Sequence, residues 1–184
     1  MSAEHRAAEH HLSAANHHAL AAQYHHEASR HYQLGKDYAH AAHQALAAIG
    51  QAWQAIDHAK QANRLYIGQG ANALQKYMEP VPRFLEKPFE TAGTIQTTLS
   101  CAEHHAIAAY HHEQAAQHHG QASRHCDDKN YPLAAHEARF AHGHAHHSIF
   151  HGIEAAKHHV ERQGQNPTDR RTLGAETWWE HTET

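Results

Sequence analysis

The chain has only two cysteines, Cys101 and Cys126. Two are too few for a disulfide framework, and neither C-x-x-C nor C-x-x-C-H occurs, so reduced thiols are expected. Lysine and arginine total 15 and form no cluster or stripe, so the electrostatic footprint of a nucleic-acid binder is missing. Nothing approaches about 18 consecutive apolar residues, and the opening MSAEHRAAEHH is polar where a signal peptide would be apolar. A soluble, cytoplasmic protein without nucleic-acid or membrane partners is the expectation. Serine-nucleophile and phosphate-loop patterns are absent, and so is E-x-x-H, which di-iron carboxylate bundles require. Leucine, isoleucine, valine and phenylalanine are scarce, and most of the apolar content is alanine. Such a core buries less apolar area per residue than a leucine core, so another interaction must help hold it together.

What the chain has in abundance is histidine, 27 residues of 184. Protonation of all of them would turn a formal charge of -4 into +23, so acute sensitivity to mild acid is expected. The histidines are patterned. Pairs recur every seven residues at His104/His105, His111/His112 and His118/His119, ending on His125, with Ala108/Ala109, Ala115/Ala116 and Ala122/Ser123 between them. At about 100° per residue, histidines and alanines share one helical face, opposite Glu113, Gln114, Gln117, Gln121 and Arg124. Packing by the small-residue stripe then turns imidazoles inward.

The same text appears 94 positions earlier: residues 10–31 and 104–125 are identical at 14 of 22 positions. That is an internal duplication. A first helix ends near Gly35, a residue favoured just past a helix end, and a second starts at Asp37 as N-cap and runs to about Arg64. In the second copy Asp127–Asn130 forms the turn, and Pro132 sits in the first helical turn, where proline is tolerated. The fold expected is all-α, a four-helix bundle of two tandem-duplicated long helical hairpins with a His/Ala interior. Within one domain, 1–184, the hairpins span 3–65 and 99–162. Residues 66–98, containing Gly68, Gly70, Pro80, Pro82, Pro88 and Gly93, form a crossover, and 163–184, with Trp178 and Trp179, an irregular tail.

Neutral imidazole is the commonest metal ligand and suits Zn, Cu, Ni, Co and Fe rather than oxygen-seeking Mg or Ca. The candidate ligands are His10, His11, His17, His18, His25, His31, His43 and His58 in the first copy. In the second they are His104, His105, His111, His112, His118, His119, His125, His136, His144, His147, His151, Glu154 and His158. His144, His147, His151, Glu154 and His158 follow one another at spacings of three and four, which puts them on one stripe of the last helix. In the first copy Gln51, Gln54, His58, Gln61 and Leu65 take their places. Folding the second hairpin with residue numbers summing to about 262 brings together His125/His136, His118/His144, His111/His151 and His104/His158. The best-supplied level is then central, where His17 and His18 meet His111, His112, His147 and His151. Cys126 occupies a histidine position and reads equally as a soft ligand or an inert small residue. His5, His26, His142, His146, His159 and His181 fall off the stripe and read as surface, Glu27, Glu113 and Glu137 as solubilising, and Ser29 and Ser123 as small packing residues.

This inventory exceeds what one site of three or four ligands uses. Storage, buffering or detoxification of several transition-metal ions is the expectation, in a monomer or homodimer. A metalloenzyme or oxidase with one multinuclear centre is the alternative, and a haem held by two axial histidines the third. In plan the chain resembles cytosolic copper-storage bundles, whose interior is cysteine; histidine instead favours Cu(II), Zn(II), Ni(II) or Co(II).

Overall fold

The computed structural model describes residues 3–67 and 99–164. They form four helices, α1 Ala3–Leu34, α2 Tyr38–Ile67, α3 Cys101–Asp127 and α4 Tyr131–Gly164, and among the described residues there is no strand. The expected crossover from residue 68 onward and the tail from 165, with Trp178, Trp179 and His181, lie outside the described residues. No helix among those described is long and apolar enough to cross a membrane.

The helix boundaries fall where the turn chemistry put them. At the end of α1, Gly35 adopts φ 62°, and the Lys36 and Gly35 amides donate to the carbonyls of His31 and Tyr32. This double bond pattern closes the last turn and depends on a left-handed residue at Gly35. The Asp37 side chain then accepts from the His40 amide at 3.1 Å and starts α2. At the end of α3 the pattern repeats, Asn130 donating to His125 and Lys129 to Cys126, with Lys129 itself at φ 58°. A capping box that the sequence reading did not use starts α3: Ser100 Oγ accepts from the Glu103 amide, and Glu103 Oε2 from the Ser100 amide.

The helices pack as a bundle in which α1 lies along both α2 and α3, α3 lies along α4, and α2 touches α4 more sparsely. Its core inverts the usual composition. Buried apolar side chains are alanine throughout, joined by Tyr32, Ile56 and Cys126, while Leu46, Trp53, Phe150 and Val160 are exposed. The largest fully buried side chains are His11, His18, His25, His105, His112, His119, Cys126 and Ser148. Alanine lets backbones approach closely, and imidazoles fill the space that leucine occupies in ordinary bundles. Small clusters close the two ends: Ala7, Ala8, Cys126 and Ala134 with Leu65 and Tyr131, and Tyr32, Ala41 and Ala102 with Tyr38 and Cys101. The two cysteines sit at opposite ends of α3, about 37 Å apart at 1.5 Å per residue, beyond disulfide reach.

The close approach is testable. Ala115 has no exposed surface, and Ala115→Leu should overpack the bundle and cost about 1–3 kcal/mol by urea unfolding. An unchanged midpoint would mean that the helices are not in contact at this level.

Candidate metal centre

The two histidines of each adjacent pair diverge. The second member of each, together with His25, which follows Tyr24 in the same heptad phase, faces across α1 and α3: His11 meets His119, His18 meets His112 and His25 meets His105, Nδ1 to Nδ1 at 3.2, 3.1 and 3.1 Å. Each pair of residue numbers sums to 130, so α1 and α3 are antiparallel. Between pairs the rings stack, His119 on His18 at 5.6 Å, His112 on His25 at 5.5 Å and His105 on Tyr32 at 5.4 Å. Six imidazoles and one phenol thus form a continuous buried column. Beside it Ser29 Oγ donates to the Ala102 carbonyl and Ser123 Oγ to that of Ala8. The serines are 94 residues apart, and so are their acceptors, so the two contacts are equivalent under the repeat. These serines pin the two helices together, beyond the packing role read from the sequence.

At the central pair Ser148 Oγ donates to the Ala145 carbonyl at 2.7 Å and lies 3.2 Å from His112 Nδ1, which ties the pair to α4. The Nε2 atoms of His18, His25 and His112 are buried with no hydrogen-bond partner. Burial holds these rings neutral: it lowers His18 and His105 to about 4, His25 to about 3 and His112 to about 2, and His119 falls well below its ordinary value. His11 is lowered to about 4 for the same reason.

The first member of each pair turns toward the hairpin partner; His10, His17, His111 and His118 are half-buried there and His104 is buried. Between α3 and α4, His104 meets His151 and His111 meets His144, each Nδ1 to Nδ1 at 3.0 Å, while His118 Nδ1 donates to Glu137 at 2.7 Å. These residue numbers sum to 255, one heptad from the 262 expected. Three of the expected pairs are present as ring stacks instead: His104 on His158, His111 on His151 and His118 on His144, at 5.3, 6.1 and 5.5 Å. Each ring thus lies between two across the seam. His147 adds a further ring 5.1 Å from His111, and desolvation with the neighbouring His147, His144 and His151 lowers His111 to about 4. Glu154, on the same helix, is engaged by Lys157.

Between α1 and α2 the seam is poorer. His10 meets His58 Nδ1 to Nδ1 at 3.1 Å, His17 donates to Gln51 at 2.7 Å, and His17 stacks on His58. At the turn end, Glu27, His31 and His40 place their ligand atoms within 4.8 Å of one another, the one such group of three among the described residues.

The mixed central level does not form: His18 meets His112, while His17 turns to α2 and His111 to α4. Other readings also change. Glu27 and Glu137 join the histidines, because Glu137 shares the heptad phase of His144, His151 and His158, a signal already present in the sequence. His159 is half-buried, its Nδ1 hydrogen-bonded to Tyr32 Oη at 2.6 Å. Cys126 packs among alanines, and burial pushes the Cys101 thiol up to about 11, which disfavours the thiolate a soft metal needs. His43 and His136 are exposed and His125 half-buried. Of the expected surface residues, His5 and His26 pair with Glu9 and Glu113, and His142 and His146 with each other at 3.0 Å.

No family model, curated protein or solved structure matches the chain.

Chemically, each Nδ1 pair is close to a ready-made ligand edge. With metal–nitrogen bonds of 2.0–2.1 Å, two ligands of a tetrahedral ion stand about 3.3–3.4 Å apart. A movement of a few tenths of an ångström would replace the shared proton by an ion. The seam rings are reachable from solvent, whereas the column is enclosed by alanine.

Two outcomes are expected. The unfolded imidazole titrates near 6.5 and the column histidines at about 2–4, so between those values the unfolded chain binds more protons. Stability is therefore fully present above pH 6.5 and is lost as pH falls toward the folded values. At about 1.4 kcal/mol per group per pH unit, several such groups together rival the marginal stability of a whole domain. Metal-free protein should lose its circular-dichroism melt between pH 6.5 and 5; a flat melting temperature there would contradict neutral buried rings. Secondly, His25→Leu or His105→Leu alone should cost about 1–3 kcal/mol by stranding the partner, and the double variant should cost less than their sum. Additivity in that cycle would mean that the pair does not interact.

Proposed function

We propose that this protein is a transition-metal-binding bundle that takes up several ions for storage or buffering, loading them on the seam between α3 and α4. The observation that carries this reading is the run of imidazoles along that seam, half-buried at His111, His118, His144, His151 and His158 and buried at His104. Pairs of Nδ1 atoms 3.0 Å apart at His104/His151 and His111/His144 are flanked by His147, His158 and Glu154. One helix supplies ligands a turn apart while the other supplies the opposing ring, so a third ligand for each ion is one side-chain rotation away. The donor set suits Cu(II), Zn(II), Ni(II) or Co(II).

In this reading the two hairpins are tandem copies with divided labour. The second holds His144, His147 and Glu154 where the first has Gln51, Gln54 and Gln61, so the second is the loading face. The buried column serves as the frame. Haem is disfavoured on geometry, because imidazoles in direct Nδ1 contact leave no gap for a porphyrin between them.

The test is elemental analysis and calorimetric titration of protein purified without an affinity tag or metal column. Several equivalents of one metal are expected, with a rise in melting temperature on loading, since a ligand that binds only the folded state stabilises it. The combined variant His111→Ala/His144→Ala/His147→Ala should lose at least one equivalent while His25→Leu/His105→Leu keeps them all. Unchanged loading in the seam variant would overturn the proposal, and one or two tightly held ions would move the reading to a catalytic centre.

A further inference from the structure

At the closed end of the first hairpin, away from the α3–α4 seam, Glu27, His31 and His40 form a group of a different kind. Elsewhere the histidines meet as pairs or stacks. Here two imidazoles and a carboxylate converge, all three half-buried, with one ligand atom from each within 4.8 Å of the others. Glu27 and His31 lie one turn apart on α1, and His31 Nε2 stands 3.1 Å from Glu27 Oε1, close to the tetrahedral edge of about 3.3–3.4 Å. His40 comes from α2, its ring centroid 4.7 Å from that of His31.

The backbone on both sides is held by the turn. The His31 carbonyl accepts from the Lys36 amide, and the His40 amide donates to the Asp37 side chain. The ligands are thus presented by two helix ends locked to one three-residue connection. An outer contact bears on the carboxylate: exposed Arg30 reaches Glu27 Oε2 at 3.9 Å, leaving Oε1 toward the histidines. Such outer partners are what orient ligands at metal sites. The second hairpin has no counterpart, since Gln121 and Leu133 replace Glu27 and His40.

We propose that Glu27, His31 and His40 form a discrete site for one Zn(II)-class divalent ion, which staples α1 to α2 at their turn. Two imidazoles and one carboxylate are a donor set that zinc uses, with the fourth position left to water. The site is separate from the loading seam: it holds one ion, it is built from three ligands on two helices, and its ion stabilises the turn rather than serving as cargo. Because it shares no residue with the α3–α4 seam, either site can fail without the other.

The experiment is titration of the chelator-stripped full chain with Co(II), followed by Zn(II) displacement. It is read by visible d–d absorption, melting temperature and amide hydrogen exchange at residues 35–41. Four proteins are compared: the native sequence, His40→Gln, Glu27→Gln, and the seam variant His111→Ala/His144→Ala/His147→Ala. The seam variant should keep one equivalent with tetrahedral Co(II) absorption and the metal-dependent slowing of exchange at the turn. His40→Gln and Glu27→Gln should each weaken that equivalent at least tenfold and abolish the slowing, with apo circular dichroism unchanged because these side chains are half-exposed. Retention of the equivalent in both hairpin variants would overturn the proposal, as would its loss in the seam variant or the absence of any metal effect on turn exchange.

Discussion

The interaction on which this structure depends is the contact between two neutral imidazoles, Nδ1 to Nδ1, across α1 and α3. It fixes register, because each pair of residue numbers must sum to 130 and a slip by one residue would aim every ring elsewhere. It fixes spacing, because rings seven residues apart on each helix interleave only if the helices run antiparallel and close together. Alanine is the necessary companion. A larger residue between the histidines would hold the helices too far apart for a bond of 3.1 Å, and a polar one would bring water to rings that must stay neutral. The scarcity of leucine and the abundance of alanine are thus one constraint seen twice.

The same constraint divides the histidines into two chemical populations. In the column, burial holds the rings far below their ordinary pKa, each Nδ1 is already engaged, and alanine walls exclude an arriving ion. On the seams the rings carry the same pairwise geometry but remain open to solvent, with additional imidazoles and carboxylates within a side-chain rotation. A hydrogen bond in which one proton is shared by two nitrogens and a chelate in which two nitrogens share a metal ion differ by a few tenths of an ångström. Which of them forms depends on access. That is why the metal chemistry proposed for this protein sits on its hairpin seams and turn while the buried contacts of its centre act as a frame.

Much of the fold was legible in advance. The four helix ends at the two hairpin turns follow from Gly35, Asp37, the Asp127–Asn130 turn and Pro132, because capping and turn chemistry act over a few residues and leave their mark in the local text. The heptad of histidine and alanine also announced a buried face, since a solvated histidine has no reason to keep phase with alanine. The hydrogen-bonded register in the second hairpin was read one heptad out, 262 for 255, because with a repeat of seven on both helices either register aligns histidine with histidine. Glu137 does not break the tie, because it continues the phase of His144, His151 and His158 and meets a histidine in either register, His118 in one and His125 in the other.

What the amino-acid sequence determined by itself is therefore local and periodic: four helices, their limits, the repeat, and the presence of imidazoles on the packing face. What only the tertiary structure decided is where each imidazole of an adjacent pair goes. Neighbouring residues on a helix point about 100° apart, so His17 and His18, or His111 and His112, must meet different helices. Which partner receives which ring depends on the positions of helices distant in sequence. The same holds for Glu27, His31 and His40, two of which are one turn apart on α1 while the third lies beyond a reversal of the chain; the site exists only once α2 has folded back along α1.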